Sequence, residues 1–247
     1  MAITYFGSAS NPLDNNLLNG PDVAVTPPAS MVAGDLVLLI PQIKSGTVSP
    51  INVTVTGGQT WNTAVGLITD GSTILSIFWC EFNGTWDADP NVNWGGTPGT
   101  DPMTVVMHVF RPGTAALTWF LDGNTSSGTF PTPGSGQPVI LAGTSPPHDS
   151  TVTMALWATP DDNNWGDPTG GSWAGLGTQE YRNTSGTGMC ITFARVIQTA
   201  SGPTGDVEST QGGLNRDAGL YIMRTWYEAN TEINLRGGTL LGGTIGA

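Results

Sequence analysis

Leu36-Val37-Leu38-Leu39-Ile40 and Val152-Thr153-Met154-Ala155-Leu156 are the stretches on which the reading of this chain turns. Each opens a series of three apolar, strand-like runs. The first series begins at Leu36, Ile74 and Met103, the second at Val152, Met189 and Leu220. Partners in the two series lie 116, 115 and 117 residues apart. A lone tryptophan between the first and second runs also recurs, Trp61 and Trp173, 112 residues apart. Pro27-Pro28 leads into one series and Pro146-Pro147 into the other. Self-similarity at a fixed spacing identifies the folding unit before any local signal does. A unit of about 115 residues is the size of one β-sandwich.

Working outward, the runs are apolar almost throughout. Ile74 to Phe82 and Met103 to Phe110 (MTVVMHVF) are nearly continuous, as is Gly219 to Tyr227 (GLYIMRTWY). Strands of that kind are covered on both faces. Gly188 to Ile197 alternates more clearly, with Met189, Ile191 and Phe193 on one side. Weaker strands are expected at 51–56, 64–69, 116–121, 138–141 and 177–182. Helix is not expected, because every long window is broken by Gly or Pro before a 3.6-residue period establishes itself. The 35 glycines and 18 prolines fall between the apolar runs and read as turn punctuation.

The resulting expectation is an all-β chain of two tandem antiparallel β-sandwich repeats, jelly-roll or Ig-like. Repeat one covers 1–125, a Gly/Ser/Thr/Pro-rich linker 126–137, repeat two 138–228 and a C-terminal arm 229–247. Each repeat is long enough to bury a core of its own. Two long inserts, 83–102 and 159–176, interrupt the repeats, and loops of that length tend to carry function.

Charge excludes several functions. Nineteen acids face seven bases, Lys44 and six arginines, for a net charge of −12. Nucleic-acid binding needs clustered cations that displace counterions, so it is not expected. An acidic surface also repels anionic lipid. The longest apolar stretch, Leu36 to Ile40, is too short to cross a bilayer, and the N-terminus lacks the basic and apolar regions of a signal peptide. Synthesis in a host cytoplasm without a leader is expected. Cys80 and Cys190 fall within predicted central strands and read as buried thiols; a disulfide between the repeats stays open as the alternative.

The sharpest polar cluster is Trp86-Asp87-Ala88-Asp89-Pro90-Asn91-Val92-Asn93-Trp94. Its alternating oxygens suit calcium, but the glycine and terminal acid of an EF-hand loop are missing. Asp161-Asp162-Asn163-Asn164-Trp165-Gly166-Asp167 is comparable. Candidate Ca2+ ligands are therefore Asp87, Asp89, Asn91, Asp161 and Asn163, and no other cofactor is expected. Asx-turn chemistry explains the same residues without a metal. Tryptophan beside Asp and Asn is also the pairing that sugar sites use, a flat ring under the pyranose with polar groups on its hydroxyls. Candidate carbohydrate contacts are Trp86, Asp89, Trp94, Asn164, Trp165 and Trp173. Trp61, Trp79 and Trp226 occupy core positions of the repeat and are expected to pack.

Nothing in the chain assembles into a catalytic motif, and an enzyme is not expected. His148-Asp149-Ser150 holds the residue types of a hydrolase triad, but neighbours on one turn do not form the relay. Glu81, Glu180, Glu208 and Glu228 lie in or beside strands with nothing in the sequence to pair them as a glycosidase requires.

The string from Pro27 to Leu39, PPASMVAGDLVLL, resembles the Gly-Asp-Leu-Leu opening of β-sandwich modules in bacteriophage virion proteins. Thr60-Trp61 and Val109-Phe110-Arg111-Pro112-Gly113 are similar to the tryptophan and the closing aromatic turn of those modules. The second half departs, with His148-Asp149-Ser150 in place of Gly-Asp-Leu. It keeps Trp173 and a similar turn at Thr199 to Gly205. The resemblance implies a virion location and a structural or surface-decorating role as capsid decoration, fibre or tail accessory. Its partners would be other virion proteins and copies of itself, and the resemblance carries no catalytic residues. The alternative is a carbohydrate-binding module or adhesin that meets a cell-surface glycan through the Trp/Asp/Asn loops.

Overall fold

The computed structural model describes residues 2–13, 23–44, 49–54, 57–95, 103–114, 117–134, 136–161, 164–182, 188–212 and 217–229. Among them, regular structure is strand, and every strand pairing is antiparallel.

In the first half a large sheet has the order β1 (Thr4–Leu13), β8 (Met103–Arg111), β3 (Leu36–Ile43), β6 (Ile74–Glu81), β5 (Asn62–Thr69). A small sheet joins β2 (Val23–Ala24), β7 (Asn91–Gly95) and β4 (Ser49–Val53). In the second half the large sheet runs β9 (Thr118–Phe130), β15 (Gly219–Ala229), β11 (Thr151–Thr159), β13 (Gly188–Gln198), β12 (Ala174–Arg182). Its small sheet pairs β10 (Pro138–Leu141) with β14 (Val207–Thr210).

The two large sheets have the same connectivity and nearly the same register. Leu36 faces Phe110 in one, and Thr151 faces Tyr227 in the other. Each carries a bulge at the start of its outer hairpin, between Thr63 and Val65 and between Gly175 and Gly177. In the small sheets, Val53 opposite Val92 and Ser49 opposite Gly95 match the bridges Thr169–Glu208 and Trp165–Gln211, each 116 residues on.

Strand alternation explains the layering. In β3, Leu36, Leu38 and Ile40 enter one apolar cluster, while Val37, Leu39 and Ile43 enter another. In β11, Val152, Met154, Leu156 and Ala158 point one way and Ala155 and Trp157 the other. A strand apolar on both faces needs two covers. The small sheet of its own half provides one. The other is the large sheet of the opposite half: Leu36, Leu38, Ile40, Leu75, Ile77 and Phe110 lie in one cluster with Val152, Leu156, Phe193, Ile222 and Trp226. The halves are thus two sandwiches fused back to back through a shared core.

Polar contacts stitch the same junction. Trp119 Nε1 donates to Gly34 O at 2.9 Å, Gly113 N to Glu228 Oε1 at 2.8 Å, and Arg224 Nε to Ala64 O at 3.1 Å. Gln42, which is fully buried, donates to Thr159 O at 3.2 Å.

The segment expected to link the halves is different in the structure. Thr118–Phe130 forms β9, paired with β15 from Ala229–Thr118 to Gly219–Phe130, so 126–130 is strand and the chain changes sheets between Arg111 and Thr118. An edge strand has one neighbour, and its Ser and Thr residues need no apolar period. A register shift between Arg224 and Trp226 further masks the pattern. The expected arm falls almost wholly on residues 230–247, outside the described residues.

Asp35, fully buried at the entry to β3, fixes the start of that strand. It accepts from Arg111 Nε and Nη2, each at 3.1 Å, and from Val32 N at 2.9 Å. The Arg111 guanidinium also lies 4.1 Å from the Phe6 ring centroid. The Asp35 hydrogen bond raises the Arg111 pKa above the usual arginine value. Removing one member of such a pair strands a buried charge. Arg111→Met is expected to cost about 3 kcal/mol in urea unfolding. Because Asp35 is out of water, added salt should change that loss little.

Candidate functional site

A groove of about 720 Å³ opens beside the small sheet of the first half. Its walls are Asn52, Thr54 and Asn93 from β4, β7 and their flank, Gly58 to Trp61 from the loop entering β5, and Thr63 from β5 itself. Val53 and Phe78 supply apolar lining. A smaller cleft of about 290 Å³ shares Gly58, Gln59 and Thr60 and continues along Asn62, Trp79, Glu81 and Asn83 to Trp119.

The wall is held by side chain to backbone bonds. Gln59, nearly fully buried, and Asn83 exchange amide contacts: Gln59 Nε2 donates to Asn83 Oδ1 at 2.5 Å, and Asn83 N donates to Gln59 Oε1 at 2.9 Å. Gln59 Nε2 also reaches Thr85 O at 2.7 Å, and Asn83 Nδ2 reaches Gly57 O at 2.7 Å. Gly57 N donates to Asp87 Oδ1. Gly57 has φ +62°, and a Cβ there would collide with the Thr85 carbonyl, so glycine is required on both counts. On the opposite wall, Asn93 Nδ2 donates to the cross-strand Asn52 Oδ1 at 2.6 Å, and Thr54 Oγ1 donates to Asn93 Oδ1 at 3.1 Å.

Trp61 is half-buried and belongs to this groove as well as to packing. It stacks on Trp86 (6.4 Å between centroids, 26° between planes), and Trp86 stacks on Phe82 at 4.8 Å and 17°. Of the expected carbohydrate contacts, Trp86 is therefore a support behind Trp61. Trp94 is buried in the first-half core between the sheets. Trp165 and Trp173 are buried in the second-half core. Trp165 meets Phe130 edge-on at 5.8 Å, and Trp173 Nε1 donates to Gly205 O at 3.0 Å. Asn164 is exposed, and its carbonyl accepts from Gly212 N. The six residues do not form one surface. The sequence N-V-N-W at 91–94 carried the signal: polar and apolar residues alternate, which turns Asn93 out and Trp94 in.

The expected calcium ligands serve loop ties. Asp87 holds Gly57 N, and Asp89 Oδ2 accepts from Thr26 Oγ1 at 2.6 Å. Asn91 lies in β7, and Asp161 accepts from Gln211 Nε2 at 3.1 Å. Asn163 lies outside the described residues. Among the described residues no three His, Cys, Asp or Glu side chains converge as a cation site.

Chemistry-bearing groups elsewhere are built into the packing. His108 is buried, with Nδ1 3.1 Å from the Tyr5 hydroxyl and its ring edge-on to Phe193 at 4.6 Å. Burial, and secondarily the charge of Arg195, lowers its pKa to about 3. His148 stacks flat on Tyr227 at 3.7 Å. Cys80 and Cys190 are buried in separate cores and form no disulfide, and burial pushes the Cys80 thiol far up. Glu81 accepts from Trp119 N at 3.1 Å. Glu228 caps Gly113, and burial raises its pKa. Glu208 lies in β14 and bridges Thr169, and the Glu180 side chain lies outside the described residues.

The Asp217 carboxyl is raised as well. Asp217 is lifted first by burial and then by Asp161 beside it, with Lys44 pulling the other way. A raised folded-state pKa means that the ionised form weakens the fold above that pKa and that the penalty fades as pH falls. Asp217→Asn is therefore expected to raise Tm at pH 7 by at most about 1 °C, solvent screening the effect of an exposed group. The gain should vanish in scans at pH 3.

No protein-family model, no curated protein and no solved structure matches this chain.

Proposed function

We propose that this chain is a non-enzymatic structural component of a virion surface, a capsid decoration, fibre or tail accessory acting by protein–protein assembly. The observation that carries the reading is the shared core, which stacks four sheets into one block. A load-resisting spacer needs that continuity between modules, and a hinge between two independent sandwiches would not provide it. The equal strand order and register of the halves support tandem copies of one module of about 115 residues. The Gly34-Asp35-Leu36 opening, with Asp35 locked by Arg111, supports the likeness to virion modules. Partners on this reading are other virion proteins and copies of the chain.

The test is immunogold electron microscopy and mass spectrometry of purified particles, using antibody raised against this chain. Regular labelling, with the chain present in stoichiometric amount, is expected. Particles that lack the chain would overturn the reading.

A further inference from the structure

We propose that the groove walled by Asn52, Thr54, Asn93, Thr60, Thr63 and Trp61 binds a neutral saccharide. This develops the glycan-binding alternative at a site the Trp-bearing inserts did not indicate, and it stands whether or not the chain is a virion protein. The volume, about 720 Å³, falls within the range of about 300–1,000 Å³ that small-molecule sites occupy.

The lining selects the ligand class. Among the described residues, no Lys, Arg, His, Asp or Glu contributes to this groove. An anion would find no cation there, in a chain of net charge −12, and a cation would find no carboxylate. An apolar ligand would take the Asn52 amide and the Thr60 and Thr63 hydroxyls out of water against carbon, with nothing to replace the hydrogen bonds that water gives them. Amides and threonine hydroxyls both donate and accept, as sugar hydroxyls do. The apolar faces of a pyranose match the indole of Trp61, backed by Trp86 and Phe82.

The site is preorganised. Asn52, Asn93 and Thr54 already bond to one another in a fixed ladder, which leaves the Asn52 amide nitrogen without a partner among the described residues. The facing loop is fixed by Gln59 and Asn83. Rigid walls lower the ordering penalty on binding. The adjoining cleft at Asn62 and Asn83 shares a wall with the groove, which makes room for more than one sugar unit.

The experiment uses the full chain in affinity electrophoresis against soluble neutral α-glucan, β-glucan and galactomannan, and on an array of neutral and sialylated glycans. The expected result is binding to at least one neutral glycan. Asn52→Ala, at an exposed position, and Asn93→Ala, at a half-buried one, should each weaken it about tenfold, with Tm unchanged for Asn52→Ala and lowered by no more than a few degrees for Asn93→Ala. Trp61→Phe should weaken it less than Trp61→Ala, and Asn164→Ala should leave it unaltered. Absence of binding to every neutral glycan overturns the proposal. So does binding confined to sialylated glycans, or binding that survives both asparagine changes or is lost with Asn164→Ala.

Discussion

Trp226→Ala is expected to lower the unfolding free energy by about 3 kcal/mol, and Tm by about 6–12 °C, while both halves still melt together. Trp226 is fully buried on β15, in the cluster that unites the two large sheets, opposite Val152 and Leu121. Truncating a buried Trp costs about 3–5 kcal/mol. The lower figure applies because its Nε1 is buried without an acceptor among the described residues, and truncation removes that unsatisfied donor. Urea unfolding followed by circular dichroism and by tryptophan fluorescence should move to a lower midpoint with coincident curves. Two steps in these curves, with only one of them displaced, would show that the cavity is felt by one half alone.

The second large effect is acid lability through His108. Its pKa is about 3 in the fold and about 6.5 in an unfolded chain. Burial excludes the charged ring, and Arg195, whose guanidinium lies 4.8 Å from the Tyr5 ring centroid, opposes it from β13. A folded-state pKa below the unfolded one means that the unfolded chain takes up the proton first. The stabilising contribution is full above pH 6.5 and is lost as pH falls toward 3. The loss attributable to this one ring is about 5 kcal/mol. Glu228 and Asp217, with raised pKa values, return part of it at the acidic end. His108→Leu isolates the ring from them. The variant loses the contact with the Tyr5 hydroxyl, about 1 kcal/mol at pH 7, and should become more stable than the parent below pH 5. Urea midpoints from pH 7 to pH 3 that run parallel for parent and variant would assign the acid response to other groups.

These effects follow from features the sequence showed to different depths. The strands β3, β8, β11 and β15 were legible because continuous apolar runs mean cover on both faces. What covers them was not legible. Leu38 and Leu39 are equally apolar, and only the assembled sheets reveal that Leu38 meets the opposite half while Leu39 meets the small sheet of its own. The start of β9 was expected as a weak strand at 116–121, but its run on to Phe130 escaped because the Ser and Thr residues look like linker and its partner among the described residues lies about a hundred residues away in the chain. For the candidate site, tryptophan beside Asp and Asn pointed to two inserts whose residues the structure does not bring together on one surface. Trp94 and Trp165 turn inward by strand parity and bridge pairing, whereas Trp61, at the mouth of a hairpin, reaches a groove built from β4, β7 and a loop distant in sequence. Local pattern says which way a residue faces within a strand, but not which loop will close over it.

Differential scanning calorimetry of the intact chain tests the fused architecture most directly. One transition is expected, with equal calorimetric and van't Hoff enthalpies, lowered as a whole both by Phe78→Ala in the first-half core and by Trp157→Ala in the second. Two transitions, each moved only by the substitution in its own half, would show two separate sandwiches on a tether and would contradict the account.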